Sequence, residues 1–384
     1  MIDFEQPGRR AALALALATA IAAGSGTVAP AQERVLTIGC SLPLTGRMVG
    51  FGEPVKAGMD LAIEEYNTTK RIPGVRFELL CNDSKGDPKE TINIAQRLID
   101  NQAVIASISD FTSTATMAAA ETYQKGGLVQ MTPTASHPDL TKMNPWMFRA
   151  SLTVPVYIEP MADFLMKNVN ARKVAVVQVQ TDWGVSAGTA FVERLKAIGG
   201  EVASLDAYNE GTTDFRAILT QIRRRNPDAI FLAMLEEEAV NFMKQRQQFA
   251  MTQPVMDSSV GITPRSLGLG GSAMEGMYTN ILFNESSPLQ EVKDFVARYR
   301  QKHGADKTPD QWNAYGYDAA SMIMLAAGRA MPNPTRQAIR DQLAQTRNFR
   351  GANGELSVDP QTREVSRSSL TFLQVRNGVR VPLN

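Results

Sequence analysis

Four side-chain hydroxyls crowd the stretch SISDFTSTATMAAAETY: those of Thr112, Ser113, Thr114 and Thr116, at the junction of an apolar strand and an alanine-rich helix. A hydroxyl at a helix start accepts hydrogen bonds from the free N–H groups of the first turn. One such residue suffices for a cap. The surplus raises a second reading, a seat for an anion that begins at Phe111. A further donor cluster follows the next apolar run. TPTASHPDLT (132–141) offers the N–H groups and hydroxyls of Thr134, Ala135 and Ser136, although Pro133 and Pro138 also suit an ordinary turn. Two donor clusters at adjacent strand ends converge on one space, and together they favour a binding site.

Searches for other chemistry return little. The Gly-rich SLPLTGRMVGFGEPVKAG leads into a helix but lacks the Gly-Lys-Ser/Thr ending of a phosphate loop and the dinucleotide glycine spacing. It reads as a loop kept small where a ligand or another lobe approaches, with Phe51 as an aromatic wall. The two histidines, His137 and His303, belong to no metal or nucleophile motif, so neither a catalytic set nor a metal or cofactor is expected. LEEEA (235–239) reads as a solvated helix start favoured by the helix dipole, with Glu236 as the member that could reach a cleft.

The elements that must position these groups follow from periodicity. From Val35 short apolar runs alternate with helical stripes such as Val55, Met59, Ala62, Ile63 and Tyr66, or Ile92, Ala95, Leu98 and Ile99. That alternation predicts a parallel sheet covered on both faces. The pattern restarts at Lys173 after FRASLTVP, which predicts two doubly wound α/β lobes. Open parallel sheets bind ligands at the carboxyl ends of their strands. The hydroxyl run occupies that place in one lobe and QTDWG (180–184) in the other, so the site should be a cleft between them.

The charge balance, 40 Lys+Arg against 39 Asp+Glu without a long single-sign run, argues against nucleic acid and against an electrostatic membrane surface. Arg9 and Arg10 before AALALALATAIAA, then APA with Ala29 and Ala31, read as a signal peptide over 1–31. An exported chain meets oxidising conditions, so Cys40 and Cys81, near the ends of the first two strands, could pair. The narrow geometry of a bridge leaves that open.

The chain resembles, over essentially its whole mature length, the periplasmic solute-binding proteins of the branched-chain amino acid type that feed ABC importers. The resemblance rests on IGCSLPLTG, FGEPVKAGMDLAIEE, DSKGDP, FTSTAT, TPTASHPDLT, FRAS, TDWG, DFRAILTQI, PDAIF and AYGYDAA, in that order. It implies two α/β lobes joined by three crossovers that close on a ligand, with residues 32–150 and 280–350 in one lobe and 151–279 and 351–384 in the other. It implies that Ser113, Ala135 and Ser136 grip a ligand carboxylate, that Phe51 lines the pocket and that Trp183 closes over it. The anion seat then needs no Arg.

One departure bears on the ligand. Amino-acid binders of this family hold the ammonium with an acidic residue and a tyrosine, where this chain has Ser259 and Leu235. Asp257 or Glu236 would have to substitute. Burying an ammonium unpaired costs about 3–5 kcal/mol. The resemblance with this departure implies a periplasmic, monomeric receptor for a small aromatic or branched aliphatic carboxylate without an α-amino group, delivering it to an inner-membrane ABC permease. An amino acid, an amide or urea, or a ligand-sensing role are the alternatives.

Overall fold

The computed structural model describes Met1, residues 33–366 and residues 370–383; the expected signal peptide, from residue 2 onward, lies outside the described residues. The first unit runs β1 (Arg34–Leu42), α1 (Val49–Thr69), β2 (Val75–Asp83), α2 (Pro88–Asp100), β3 (Val104–Ile108), α3 (Ser113–Ala118), α4 (Ala120–Gly126), β4 (Gln130–Thr132), α5 (Leu140–Met143) and β5 (Met147–Arg149). Its five strands lie in the order β2-β1-β3-β4-β5, all parallel. Central β3 is buried along its whole length, whereas edge strand β2 alternates towards solvent. That contrast is expected of a sheet covered on both faces.

The second unit runs α6 (Val154–Lys167), β6 (Lys173–Val179), α7 (Asp182–Ala197), β7 (Glu201–Tyr208), α8 (Arg216–Arg225), β8 (Ala229–Ala233), α9 (Glu236–Gln248), β9 (Val255–Asp257), α10 (Pro264–Gly270) and β10 (Tyr278–Ile281). The chain then returns with α11 (Gln290–His303), α12 (Gln311–Arg329) and α13 (Arg336–Ala344), followed by β11 (Phe349–Gly351), β12 (Gly354–Val358) and β13 (Val365–Ser366). It ends on β14 (Thr371–Arg376) and β15 (Val379–Pro382), which join antiparallel to β10 in the sheet β15-β14-β10-β9-β8-β6-β7.

The lobe boundaries differ from those expected at two of the three crossovers. Ala150 packs in the first core and Leu152 in the second. β10 completes the second sheet, so residues 280 and 281 belong there. Leu356, Val358 and Val365 of the small antiparallel sheet bury in the first core, and the second sheet is regained only at Thr371. The β-like character of GELSVD could not reveal which lobe it joins, because its apolar alternation serves either surface.

Local sequence and packing account for three of these helices, α2, α1 and α12. Pro88 opens α2 and Asp87 caps it by accepting from the N–H groups of Lys89 and Glu90. From that start the buried stripe is Thr91, Ile94, Ala95 and Leu98, so Ile94 takes the place expected of Ile92, which is exposed. Helices α1 and α12 cross closely at two glycines. A Cβ on Gly58 would stand 1.9 Å from the Asn313 carbonyl oxygen, and one on Gly316 would stand 2.0 Å from that of Val55. The approach lets α12 bury nearly all round and project its first turn at the interlobe cleft. Cys40 and Cys81 face each other on β1 and β2 and form a disulfide.

Asp110 ends the β3 segment, fully buried, and accepts hydrogen bonds from Thr91 Oγ1 at 3.3 Å and the Thr112 N–H at 3.2 Å. Burial pushes its carboxyl up to about 6. Between that value and the unfolded one, about 4, the folded chain holds a proton that the unfolded chain has released. A folded pKa raised in this way favours folding at low pH and opposes it as pH rises through the window. Asn can occupy the site, because the Thr91 hydroxyl can turn round to accept. Denaturant melts from pH 4.5 to 7.5 should show Asp110→Asn gaining on the wild type as pH rises, by about 2 kcal/mol. Parallel profiles would mean that Asp110 does not titrate there.

Candidate functional site

The carboxyl ends of both sheets face one cleft with a cavity of about 870 Å³. From the first lobe, the β3 end supplies Phe111, Thr112, Ser113 and Thr114, and the β4 end supplies Thr134, Ala135, Ser136 and His137. From the second, the β6 end supplies Gln180, Thr181, Asp182 and Trp183, the β8 end Leu235, and the β9 end Ser259 and Val260. The first turn of α12 adds Gln311, Trp312 and Tyr315, and α6 adds Tyr157.

The hydroxyls divide between structure and cavity. Thr112 caps α3 by accepting from the Ala115 N–H at 3.1 Å, and Thr116 donates to the Asp110 carbonyl at 3.1 Å. Thr114 donates across the cleft to Asp182 Oδ2 at 2.7 Å. Ser113 is the most buried of those that keep a proton for the cavity: its Oγ accepts from the His137 N–H at 3.3 Å, and it is 2% exposed. Thr112, which also only accepts, is half-buried on the same wall. Helix α3 is only six residues long, so side chains rather than its dipole define this spot. Ser136 Oγ lies 2.9 Å from the Tyr157 hydroxyl, which also accepts from Trp183 Nε1 at 2.9 Å. Burial raises the Tyr157 phenol above its ordinary value, so it stays protonated.

Several expected roles change. Phe51 does not reach the cavity; it stacks on Phe111 at 4.6 Å and meets Trp312 edge-on at 5.6 Å, so it backs the wall instead of forming it. The Ala135 N–H is taken by Thr132 Oγ1 at 2.9 Å, and the Thr134 hydroxyl donates to the Phe111 carbonyl at 2.8 Å. Neither proton is available to a ligand carboxylate, because the turn must satisfy its own polar groups. Glu236 is buried away from the cavity, held by Thr263 Oγ1 and by Arg265 at 2.6 Å. LEEEA is therefore not a solvated start. Glu238 is buried too, accepting from the Gly211 N–H at 2.9 Å and from Arg47 of the other lobe at 2.5 Å.

The charges are arranged unequally. The acids on the cavity wall are Asp139, Asp182, Glu193 and Glu210, all exposed at the rim. Asp257 is fully buried behind Ser259, accepts from the Gly261 N–H at 3.0 Å, and is pushed by burial up to about 7. It does not line the cavity. The Ser259 hydroxyl is engaged as well, donating to Asn280 Oδ1 at 2.5 Å. Beneath the donor loop lies Arg149, fully buried, with its guanidinium donating to the carbonyls of Ala135 at 2.8 Å and His137 at 2.7 Å. Burial lowers it to about 10, so it remains a cation at neutral pH, with Glu364 3.6 Å away.

A family model for periplasmic binding proteins matches residues 35–379. The chain belongs to that family. Leu/Ile/Val-binding protein homolog 3 of Brucella melitensis is 24% identical over 350 residues, which cover 91% of this chain and 93% of that protein. The crystal structure of a leucine binding protein, LivK, from Thermotoga maritima matches with a TM-score of 0.85 at 28% identity, covering 91% of this chain and 98% of that one. A solute binding protein of an ABC transporter from Rhodopseudomonas palustris, in complex with 3,4-dihydroxybenzoic acid, matches with a TM-score of 0.82 at 23% identity, covering 91% and 96%. This periplasmic binding protein is thus of the ABC transporter type, a family that binds substrates and does not convert them. No helix among the described residues is long and apolar enough to cross a membrane.

Sequence reading missed Tyr157, Arg149, Gln311, Trp312 and Tyr315. Arg149 carried a signal, a lone cation in the apolar MFRA. Tyr157 carried none, since an aromatic on an apolar helix stripe reads as core. Removing the Arg149 guanidinium strips two carbonyls of their charged donor, leaving Ala135 with only the Ser151 hydroxyl at 3.4 Å and His137 with only the Leu140 N–H at 3.3 Å. A hydrogen bond from a charged group contributes about 1.5–3 kcal/mol. Arg149→Met should therefore lower unfolding free energy by about 1–3 kcal/mol, with Arg149→Lys in between because one ammonium cannot reproduce the fork. Denaturant melts unchanged within error would show that the loop is held by other contacts.

Proposed function

We propose that this periplasmic binding protein captures a small carboxylate lacking an α-amino group and hands it to an inner-membrane ABC permease. The placement of charge carries the reading. The hydroxyls of Ser113 and of the Ser136–Tyr157 pair are buried donors over a buried guanidinium, while every acid on the wall stands at the solvent rim. A carboxylate finds donors and a positive potential there; a buried ammonium finds no carboxylate.

Phe111, Tyr157, Trp183, Trp312 and Tyr315 supply aromatic walls, with Leu152, Leu235, Val260 and Leu282 between them. Such walls suit an aryl or branched aliphatic body. The R. palustris protein crystallised with 3,4-dihydroxybenzoic acid indicates that the fold accepts an aryl acid. An amino acid is the second reading, and one observation favours it: Asp182 lines the cavity and its bond to Thr114 leaves acceptor capacity. An exposed partner compensates an ammonium less than a buried one.

Calorimetric titration with matched pairs separates the two. Phenylpyruvate against phenylalanine, and 4-methyl-2-oxopentanoate against leucine, should favour the non-amino member by at least about tenfold, or ~1.4 kcal/mol. Tighter binding of leucine or phenylalanine would place the ammonium on Asp182 and overturn the ligand class. With the preferred acid, Ser113→Ala should weaken binding by about 1.5–3 kcal/mol, the range for a hydrogen bond to a charged group, with the fold retained and the unfolding midpoint lowered only slightly by the loss of the His137 N–H acceptor. Unaltered affinity would remove Ser113 from the seat.

A further inference from the structure

Tyr157 joins more of the cleft than any residue singled out by its sequence. Its ring packs in the second-lobe core with Ile158 and Met161. Its carbonyl accepts from Asn280 Nδ2 at 2.7 Å. Its hydroxyl accepts from Trp183 Nε1, also of the second lobe, and reaches across to Ser136 Oγ of the first. The Tyr157–Ser136 bond therefore joins the two lobes beside the first crossover, where the Val154 N–H also donates to the Ser136 carbonyl at 2.9 Å.

Counting protons decides what this row of groups can offer. The indole N–H of Trp183 is only ever a donor, and each hydroxyl has one proton. The row thus holds three protons and two internal hydrogen bonds. If Tyr157 donates to Ser136, the Ser136 proton is left over; if Ser136 donates to Tyr157, the Tyr157 proton is left over. Among the described residues nothing else stands within hydrogen-bond reach of either hydroxyl. Both residues line the cavity, so in either arrangement one O–H is left over on its wall. Ser113 adds a second proton from the adjacent loop.

We propose that Tyr157 is a specificity-determining residue: through Ser136 it makes the seat a donor of hydrogen bonds and so selects a carboxylate over the matching carboxamide. The inference rests on the carboxylate reading above. A carboxamide NH2 needs an acceptor where the row presents a proton. Without the Tyr157 hydroxyl, Ser136 can rotate and accept, and the discrimination falls.

The test uses the full mature chain with two acid–amide pairs, benzoate with benzamide and 4-methylpentanoate with 4-methylpentanamide. The wild type should prefer an acid to its amide. Tyr157→Phe keeps the ring and should weaken the acid by about tenfold while weakening the amide by less than about threefold, so that the acid-to-amide ratio drops. A role in packing alone would weaken both alike and leave the ratio unchanged, which overturns the proposal. Ser136→Ala should lower the ratio equally, and it decides the matter in the same way if Tyr157→Phe fails to fold. In the double variant the two losses should not add, as expected for groups acting through one another; additive losses would overturn the relay. A wild type that prefers no acid over its amide would overturn the carboxylate reading and the relay together. A selective wild type whose variants keep the ratio overturns the relay alone.

Discussion

A guanidinium with no access to water sits where the first lobe hands the chain to the second. Arg149 ends β5, and three residues later Leu152 is already in the other core. Removing such an ion from water costs several kcal/mol even after relaxation, so its position must be over-determined. The two carbonyls of the donor loop supply the compensation, and Glu364, from the chain's last visit to the first lobe, adds a partly exposed counter-charge. One side chain thereby ties together the first crossover, the loop that carries Ser136 and the turn between β12 and β13. The same cation lies behind the groups that would face an anion.

Around that centre the cleft follows from polar accounting. Buried donors and acceptors must find partners, and most of the hydroxyls that crowd the strand ends find them within the protein. Thr112, Thr116, Thr132 and Thr134 each complete a turn or a cap. What remains for a ligand is what the backbone does not need: the protons of Ser113, of the half-buried Thr112 and of the Ser136–Tyr157 pair. A dense hydroxyl cluster is thus mainly scaffold, and its functional part is the remainder.

The acids obey the same rule with opposite outcome. Glu236 and Glu238 are buried because they have cationic partners, Arg265 and Arg47, and not because they face the cavity. Arg47 reaches Glu238 from the other lobe, and Thr114 reaches Asp182 likewise, so the charges that might have served an ammonium help hold the lobes together. Ser259 adopts a left-handed backbone at φ 72°, which non-glycine residues rarely do. Its hydroxyl and carbonyl are bound by Asn280 and Gln311, which keep that turn in place.

By itself the sequence determined the two α/β lobes, the cleft at their strand ends and the candidacy of Ser113, Ser136 and Trp183, because periodicity and strand-end chemistry are local properties. It left open whether Cys40 and Cys81 meet, since that depends on register between strands 41 residues apart. Tertiary structure alone decided which hydroxyls are free, that Phe51 backs Phe111, that Glu236 turns to Arg265, and that Tyr157 bridges the lobes. It also decided that residues 351–366 return to the first core. Each of these depends on which group another segment brings within about 3 Å, and no spacing along one chain encodes that choice.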